Sequence, residues 1–527
     1  MKYDAIVVGG GIAGLTSAAF LSKAGRSVLL CEKENACGGL INMFERDGFF
    51  FDGGIRATEN SGVLFPMVRK LGLDIQFVSN KISIGIEHRV IRINNAEDVQ
   101  AYQSLLDELY PESKQEIHAI ILQIRKIMQY MKVQYGIENP AFLDVREDRE
   151  YFMKAILPWM VKYALTAPKI SRLQVPVDDF LEQYTQDQSL VDIIAQHFFQ
   201  KTPAFFALSY ISLYLDYHYP LGGTGKLVEK MVDYIKEHGG TIRTNTRIVS
   251  IDPDKKLVTD SRDESHSYRR LIWAADQKAL YRAIDPENIA EARTRSAFTQ
   301  RRALIADKIG NDSVLTLFLA LDEDPAYFAR ISSEHFFYTP SRIGQSVAGP
   351  IPTGEDRQTI EKWLERFFAL TTYEIACPVL RDRSLAPAGK TGLIISVLFD
   401  YSLTRHIEEQ GWYDEFKSFC EMLIIKNLDA TIYPGIGDKI LQQFSSTPLT
   451  MAKYAGTTDG AIVGWAFTNH PIPAENRLPR ILNAIKTPIP GILQAGQWTY
   501  SPSGLPISLI TGKLAADRAI RETGQER

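Results

Sequence analysis

The first 14 residues, Met1-Lys-Tyr-Asp-Ala-Ile-Val-Val-Gly-Gly-Gly-Ile-Ala-Gly14, decide the fold of this chain. An apolar run typical of a buried strand leads into Gly9-x-Gly11-x-x-Gly14, and a helical pattern follows directly. A second apolar run, Ser27-Val-Leu-Leu-Cys-Glu32, ends in an acid. Strand, glycine turn, helix, strand and terminal acid together form the βαβ unit that binds an adenine dinucleotide.

Each glycine of this motif has its own physical reason. Gly9 permits the tight turn out of the strand, Gly11 lets the backbone approach a pyrophosphate, and Gly14 lets the helix lie against the sheet. The free N–H groups at the start of the helix would face the phosphates. Glu32 stands where an acid binds a ribose hydroxyl, and its charge would repel a 2′-phosphate, which argues against NADP. A nucleotide-free relic of the fold stays open as the alternative.

Composition sets the limits of the interpretation. The chain has 527 residues, enough for two or three domains, and a formal net charge of −4, which argues against a nucleic-acid partner. Its four cysteines show no C-x-x-C spacing and predict neither a metal site nor disulfides. Asp4 and the glycine run argue against a signal peptide, and no uninterrupted apolar run reaches 18 residues. We therefore expect a cytoplasmic protein without a membrane-spanning helix.

Periodicity along the chain predicts an α/β fold in which strands and helices alternate. The clearest helix covers 113–133, where seven isoleucines and methionines form one apolar stripe. Further helices are predicted at 151–166, where Pro158 would cause a kink, and then on to about 216, at 226–238, 408–428 and 504–520. Strands are predicted at 241–251, 271–276, 314–321, 392–399 and 492–496.

The order of these elements predicts a discontinuous domain organisation. Residues 1–85, 217–290 and 480–527 would form a Rossmann-like dinucleotide-binding domain. Residues 86–96 and 291–479 would form an inserted mixed-sheet substrate domain, and 97–216 a helical region.

Further blocks point to a family. They are Gly38-Gly39, Phe51-Asp52-x-Gly54, Tyr219-Pro-Leu-Gly-Gly-Thr-Gly-Lys-Leu227, Gly239-Gly240, Asn245-Thr-Arg-Ile248, Ala274-Ala275-Asp276, Leu385-Ala-Pro-Ala-Gly-Lys390, Thr447-Pro-Leu-Thr450, Gly460-Ala-Ile-Val-Gly-Trp465 and Pro502-x-Gly504-x-Pro506. In this order they resemble the flavoprotein superfamily of amine oxidases, phytoene desaturases, carotenoid isomerases and retinol saturases. The last four groups resemble the desaturase, isomerase and saturase branch more than the amine oxidases.

The resemblance implies non-covalent FAD and assigns its contacts. The pyrophosphate would lie on the turn from Gly9 to Gly14, the adenosine ribose on Glu32, and the adenine beside the backbone of Ile248. The residues implied in these contacts, and in those to the ribityl chain and isoalloxazine, are Gly9, Gly11, Ile12, Ala13, Gly14, Glu32, Lys33, Gly39, Leu40, Gly54, Ile55, Arg56, Ile248, Ala275, Gly496, Gln497, Pro506, Ile507 and Ser508.

The sequence departs from the family pattern at two of these positions. Leu40 follows Gly38-Gly39 where many relatives have arginine, and Gln497 replaces a common acid. The amide of Gln497 can still hydrogen-bond a phosphate or a hydroxyl, although it carries no charge.

The last predicted helix begins beside the expected flavin. Ser503 or Gly504 would cap it and Pro506 would take a first-turn position. Its free N–H groups would then stabilise negative charge on a reduced flavin. The alternative is that this helix only closes the sheet.

Few residues qualify as catalytic groups. Arg56 is the one charged side chain that we place near the flavin ring, where it could polarise the flavin or bind a substrate oxygen. The alternatives are a contact with the cofactor phosphate or a pair with Glu59. His218 is interpreted as structural, and no nucleophile triad or carboxylate pair is evident.

The helices at 151–216 have two interpretations. They are either ordinary core or a lipid-facing patch that admits apolar substrates. Lys154 and Lys162, interleaved with Trp159 and Tyr163, are typical of a helix in a membrane interface and suggest peripheral contact with the inner membrane face.

The predicted function is FAD-dependent hydride transfer to or from an isoprenoid or polyene, as in carotenoid biosynthesis. Desaturation, saturation and cis–trans isomerisation all stay open. An amine oxidase-like or porphyrinogen oxidase-like flavoenzyme, or a non-catalytic prenyl-group carrier, are the alternatives.

Overall fold

The computed structural model describes residues 2–144 and 148–525, in which two seven-stranded sheets organise the chain. The first sheet has the order β10-β2-β1-β13-β12-β11, with β19 beside β13. Its strands are β1 (Lys2–Val8), β2 (Val28–Cys31), β10 (Thr241–Arg243), β11 (Ile248–Asp252), β12 (Leu257–Asp260), β13 (Ser265–Trp273) and β19 (Ile492–Gln494). Strands β10, β2, β1, β13 and β19 are parallel, so their carboxyl ends meet at one edge.

Helices cover both faces of the first sheet. They are α1 (Ile12–Lys23), α2 (Leu64–Leu71), α11 (Gly225–Glu237), α12 (Gln277–Ala283), α19 (Ile481–Ala484) and α20 (Leu505–Gln525). Helix α1 is buried along nearly its whole length because α20 packs on one side of it and the sheet on the other. The predicted Rossmann-like unit is thus closed by the last helix of the chain.

The second sheet has the order β18-β14-β17-β16-β15-β7-β8 and is mostly antiparallel. Its strands are β7 (Ile82–Ile86), β8 (Arg89–Ile93), β14 (Ser313–Leu321), β15 (His335–Thr339), β16 (Tyr373–Ala376), β17 (Thr391–Phe399) and β18 (Ile440–Ser446). Its outer face carries α14 (Pro325–Ile331), α15 (Arg357–Leu370), α16 (Tyr401–Glu409), α17 (Tyr413–Thr431) and α18 (Pro448–Tyr454). Helix α13 (Ala292–Ala306) packs instead on α12, beside the first sheet. Because β7 begins at Ile82, the sheet starts a few residues before the predicted limit at 86. The other predicted domain limits stay predictions, and those at residues 1 and 527 lie outside the described residues.

Two small sheets join these layers. One pairs β3 (Met43–Arg46) with β4 (Phe49–Asp52). The other has the order β5-β9-β6 and consists of β5 (Thr58–Glu59), β6 (Phe77–Ser79) and β9 (Tyr217–Pro220).

The helical region covers the β7–β8 end of the second sheet. It contains α3 (Val99–Leu109), α4 (Lys114–Tyr135), α5 (Arg149–Tyr151), a π-helical turn (Phe152–Ile156), α6 (Leu157–Ser171), α7 (Val177–Leu181), α8 (Gln188–Ala195), α9 (Ala204–Leu208) and α10 (Tyr210–Tyr214). The apolar stripe predicted for 113–133 is buried as one face of α4, which confirms that helix.

The structure corrects three details of the predicted elements. The strand predicted at 241–251 is two strands, β10 and β11, and the helix predicted at 408–428 is divided between α16 and α17 at Gly411, whose φ is +80°. The kink expected at Pro158 is a π-helical turn that ends just before α6, while Pro158 lies in the first turn of the helix, where proline is tolerated.

The core interpretation of 151–216 fails for α6, because Val161 and Leu165 are 64% and 70% exposed.

The described residues contain no helix that is both long and apolar enough to cross a bilayer. All four cysteines are free thiols.

The contact between α1 and α20 supplies a stability test. A Cβ added at Gly512 would lie 2.5 Å from the backbone oxygen of Ala13 and 3.1 Å from the Cβ of Thr16. We expect Gly512→Ala to lower the free energy of unfolding by about 1–3 kcal/mol, because the two backbones must separate. Denaturant unfolding of the purified protein measures this.

Gly524→Ala is the matched control in the same helix. Its added Cβ would meet only the end of the flexible Arg26 side chain, at 3.2 Å. Alanine is the better helix former, so the control is expected to be neutral or stabilised by about 0.5–1 kcal/mol. Equal destabilisation of both variants would contradict the close packing of α1 on α20.

Candidate functional site

The N-terminal glycine turn lies at the carboxyl edge of the first sheet, between β1 and α1. Gly9 has a φ of +104°, and a Cβ at Gly14 would lie 1.9 Å from the carbonyl oxygen of Gly9. Helix α1 has no side-chain cap at Gly11, so its first N–H groups are open to an anion. A Cβ at Gly11 would meet no atom within 4 Å. The turn thus has the open backbone surface and the free donors that a pyrophosphate needs.

Glu32 follows β2 at the same edge of the sheet. Its Oε2 accepts a hydrogen bond from the N–H of Gly10 at 2.6 Å, and its Oε1 accepts one from the N–H of Glu34 at 2.9 Å. The backbone oxygen of Glu32 accepts from the N–H of Thr246, in the loop that leads to Ile248 and β11. Glu32 and Ile248 therefore lie on the side of the turn where the adenosine half is predicted.

Lys33 differs from its prediction. Its Nζ donates to Glu34 Oε1 at 2.6 Å and to the backbone oxygens of Lys453 and Tyr454 at 3.0 and 2.9 Å. The ammonium group is thereby directed to the end of α18, which leaves only the backbone of Lys33 for a cofactor.

A second glycine turn lies against the first. Gly38 donates its N–H to the backbone oxygen of Gly10 at 2.9 Å, and a Cβ at Gly39 would lie 3.3 Å from the Cα of Gly11. Leu40 accepts a backbone hydrogen bond from Ile55 at 3.1 Å. This contact brings the 52–56 turn beside the first turn, as the resemblance implies.

The C-terminal segment completes the same edge. Gly496 donates its N–H to Thr511 Oγ1 at 2.9 Å, and a Cβ on Gly496 would approach the Cβ of Ala13 at 3.3 Å. Pro506 is the second residue of α20, and the buried Ile507 and Ser508 follow it. Gln497 is half-buried next to Gly496.

Two further predicted residues have definite places. A Cβ built on Gly9 would lie 3.3 Å from the Cβ of Ala275, which places Ala275 at the first turn. Ser503, predicted as a cap of α20, instead donates its hydroxyl to the backbone oxygen of Val463. The structure thus gathers the predicted cofactor residues at one edge, while their individual contacts stay predictions.

Asp52 holds the turn that carries Arg56. Its Oδ2 accepts from the hydroxyl of Tyr219 at 2.8 Å, and its Oδ1 accepts from the N–H and Oγ1 of Thr224 at 3.0 and 2.6 Å. Asp52 is 1% exposed, and all three of these donors are neutral. Its carboxylate connects β4 to β9 and to the start of α11, and these bonds hold the 52–56 turn in place.

Arg56 is buried and points to the second sheet. Its Nη1 donates to the backbone oxygens of Asp52, at 2.8 Å, and Gly54, and its Nη2 donates to Ser396 Oγ at 2.8 Å. It makes no ion pair with Glu59 in the described residues, so that alternative is wrong. His218 agrees with its structural interpretation, since its Nδ1 lies 2.9 Å from the backbone oxygen of Asp216 and its ring packs on Phe65.

Glu59 is the residue of this site that the sequence analysis undervalued. It lies in β5 opposite Tyr217, and a Cβ at Gly504 would be 3.4 Å from its Oε1, at the start of α20. Burial, and to a lesser extent repulsion by Asp216, raise the pKa of Glu59 to about 7. The only sequence signal was an acid directly after the glycine turn, which by itself is typical of the surface.

Two other features lie outside this site. An open cleft of about 380 Å³ lies at the ends of β14 and β17 beside Asp312 and Asp400, and none of the predicted cofactor residues lines it. At the β12–β13 turn, Asp260, Glu264 and His266 place ligand atoms within 4.8 Å of one another. Arg243 and Arg262 pair with these two acids, so a cation would face two positive charges there.

The raised pKa of Glu59 predicts a pH-dependent stability. The unfolded chain loses the Glu59 proton near its ordinary pKa and the folded chain only near pH 7, so the wild type loses stability as pH rises through that interval. Glu59→Gln cannot lose this proton. The melting temperature of Glu59→Gln minus that of the wild type is therefore expected to be larger at pH 8 than at pH 5, when both proteins are equally saturated with FAD. A difference independent of pH would contradict the raised pKa.

Comparison with known proteins places the chain in a family. The sequence profile described as flavin containing amine oxidoreductase matches residues 12–389. The 4,4'-diapophytoene desaturase (4,4'-diaponeurosporene-forming) of Staphylococcus aureus (strain MSSA476) is 22% identical, over 98% of this chain and 99% of that protein. The all-trans-retinol 13,14-reductase of Danio rerio is 23% identical, over 94% of this chain and 82% of the relative.

Solved structures share the fold. Wild-type putrescine oxidase bound to putrescine aligns with a TM-score of 0.60 at 15% identity, over 99% of both chains. Reduced UDP-galactopyranose mutase aligns with a TM-score of 0.55 at 12% identity, over 99% of this chain and 98% of that one. These findings confirm the predicted fold class, the FAD cofactor and the identification as a flavoprotein oxidoreductase. The chain belongs to the flavin-containing amine oxidoreductase family.

Proposed function

We propose that this flavoenzyme transfers a hydride to or from an apolar isoprenoid or polyene substrate. The observation that carries the proposal is an apolar cavity between the helical region and the second sheet. Isoleucines and aromatic rings dominate its lining, among them Ile84, Ile124, Ile193, Tyr214 and Phe337. Such a lining suits a hydrocarbon chain and offers an amine no countercharge.

A line of aromatic rings leads from this cavity to the 52–56 turn. Phe337 stacks on Tyr214 at 5.1 Å and on His335 at 5.0 Å, and His335 stacks on Tyr217 at 5.9 Å. Tyr217 is in β9, the strand that also carries Tyr219, the partner of Asp52. A long apolar molecule that follows these rings would reach the residues predicted to surround the flavin.

The cavity itself is narrow. Its volume is about 40 Å³, room for only a few water molecules. Rings that line it, such as Phe198 and Tyr210, must therefore turn to admit a substrate.

Bound FAD supplies the hydride chemistry at its N5, and the protein supplies orientation, a dry environment and electrostatics. The chain's own part is to hold the pyrophosphate on the α1 turn and to guide an apolar substrate to the flavin. Two relatives, a diapophytoene desaturase and a retinol reductase, are 22% and 23% identical to this chain and support this substrate class.

The test uses purified FAD-loaded protein under anaerobic conditions. Desaturation predicts that 4,4'-diapophytoene bleaches the visible absorption of the oxidised flavin. Saturation predicts that all-trans-retinol reoxidises the reduced flavin. An isomerase would change the geometry of an added cis-polyene without net bleaching. If putrescine reduced the flavin, and no polyene reduced it, reoxidised it or was isomerised, the proposal would be wrong.

Gly11→Val is the control for this experiment. Because a Cβ at Gly11 meets nothing within 4 Å, the variant is expected to fold. The valine side chain would fill the space predicted for the pyrophosphate, so the variant should purify colourless and inactive. A fully yellow Gly11→Val protein would show that the phosphate site is misassigned.

We also propose that α6 contacts a membrane, from which the apolar substrate is taken up. Five exposed apolar side chains follow one face of the π-helical turn and α6: Met153 (58%), Leu157 (40%), Met160 (52%), Val161 (64%) and Leu165 (70%). Lys154, Lys162 and Lys169 are exposed among them. An apolar face with interleaved lysines is typical of a helix at an anionic bilayer surface. We call these five residues the α6 patch.

Co-sedimentation with phosphatidylglycerol–phosphatidylcholine vesicles measures this contact. The double variant Val161→Glu/Leu165→Glu removes two apolar side chains that are expected to enter the lipid. It also adds two negative charges, which the anionic vesicles repel, so the fraction of protein that sediments with the vesicles should fall at least tenfold. Leu304→Glu, at a 40% exposed leucine of α13, is the matched control and should sediment like wild type. Equal sedimentation of all three proteins would reject the α6 patch as the membrane contact.

A further inference from the structure

The inner face of the second sheet changes in chemistry from one edge to the other. One row across five strands consists of Thr316, Ser396, Glu374, Phe337 and Ile84, each directly opposite the next. Phe337 and Ile84 line the apolar cavity. Thr316, Ser396 and Glu374, which we call the polar row, continue the same face on β14, β17 and β16. A ligand along this face would therefore meet hydrocarbon at one end and oxygen-bearing side chains at the other.

Two buried arginines stand at the polar row. Arg56 is 5% exposed and bonds Ser396 through its Nη2. Arg381 is 9% exposed, donates from Nη2 to the backbone oxygen of Glu334 at 3.1 Å, and has its guanidinium carbon 4.4 Å from the ring centre of Tyr219. Neither has a carboxylate within 4.0 Å among the described residues. Both cations are thus held only by neutral groups.

Three donor nitrogens of these arginines have no acceptor. They are Nε of Arg56 and Nε and Nη1 of Arg381, all inaccessible and without a hydrogen-bond partner in the part of the chain that the structure describes. Buried donors in folded proteins nearly always have a partner. Asp52 and Tyr219 link the two guanidinium groups. The backbone oxygen of Asp52 accepts from Nη1 of Arg56 and its carboxylate accepts from the hydroxyl of Tyr219, whose ring lies against the guanidinium of Arg381. The free donors of both arginines thus lie around the same two residues.

The neighbouring acids do not fill this role. Asp52 is fully bonded by Tyr219 and Thr224. Glu374 Oε1 lies 2.9 Å from Nε2 of His335. Burial lowers the pKa of His335, so the ring is neutral and donates its Nε2–H to the ionised Glu374. Burial raises the pKa of Glu374, but this hydrogen bond and the nearby arginines outweigh it and lower the value overall.

We propose that Arg56 and Arg381 bind a carboxylate at one end of the otherwise apolar substrate. The hydrocarbon part then lies over Phe337 and Ile84 toward the helical region. A carboxylate offers about four acceptor positions, and a guanidinium pairs with it in a planar, charge-assisted geometry, whereas a hydroxyl offers two weaker ones. This inference rests on the proposed function and narrows it, from polyenes in general to polyene acids.

The probes are all-trans-retinoic acid and its methyl ester, which share one chain and differ in charge. Binding to the FAD-loaded protein is followed by the perturbation of the flavin spectrum. We expect the acid to bind at least tenfold tighter than the ester. Equal affinity for the acid and the ester would overturn the inference, and this comparison requires only the wild-type protein.

Arg381→Gln removes one of the two cations and keeps a donor for the Glu334 oxygen. It should weaken acid binding at least tenfold and leave ester binding unchanged. Arg383→Gln, at an exposed arginine two residues along, is the control and should change neither. Loss of acid and ester binding in equal measure by Arg381→Gln would overturn the inference.

A role of Arg381 toward the cofactor would give a different result. If Arg381→Gln lost FAD or shifted the ligand-free flavin spectrum, the free donors would serve the cofactor and the inference would be wrong. If the ester and 4,4'-diapophytoene bound and reacted while the acid showed no preference, only the carboxylate site would fail. If no polyene bound at all, the proposed function itself would fail.

Discussion

The close approach of the first and last helices is the constraint on which the site depends. Ser17 Oγ donates to the backbone oxygens of Ala13 and Gly512, both at 2.9 Å, and Gly512 leaves no room for a side chain against Ala13. This contact sets α20 beside the glycine turn and carries Gly496 to the same place. The predicted flavin site therefore combines α1 with α20, and the second sheet and the helical region are inserted between segments of one nucleotide-binding layer.

Asp52 connects that layer to the second sheet. A buried carboxylate is costly unless hydrogen bonds replace its hydration, and here three donors from Tyr219 and Thr224 do so. The same turn presents Arg56 to Ser396 of β17. Asp52 thus fixes the turn from which Arg56 reaches the polar row, while His335 and Glu374 lie farther along the same face. The contrast with the isoleucine-lined end would orient a substrate bound as proposed above.

The parts of this arrangement that local sequence encodes could be predicted. The glycine spacing of 9–14 specifies strand, turn and helix within one short segment, and the α4 stripe repeats every three to four residues. Glu374 and His335 could not be found, because the antiparallel pairing of β15 with β16 brings them together and no periodicity records that pairing. Arg381 could not be found either, because it lies in the connection between β16 and β17 and is placed by the backbone oxygen of Glu334 and the ring of Tyr219. Lys33 had the right position next to Glu32, but the end of α18, more than 400 residues away, takes its ammonium group. The sequence also left open whether α6 was buried, since an all-round apolar helix is compatible with core or lipid.

The contact between Ser17 and Gly512 spans 495 residues. A ribosome adding about 5–20 residues per second makes the second partner roughly 25–100 s after the first. During that interval the nascent chain exposes the apolar faces of α1 and β1 without the helix that covers them. The complete coenzyme site can therefore form only after α20 has been synthesised, late in translation.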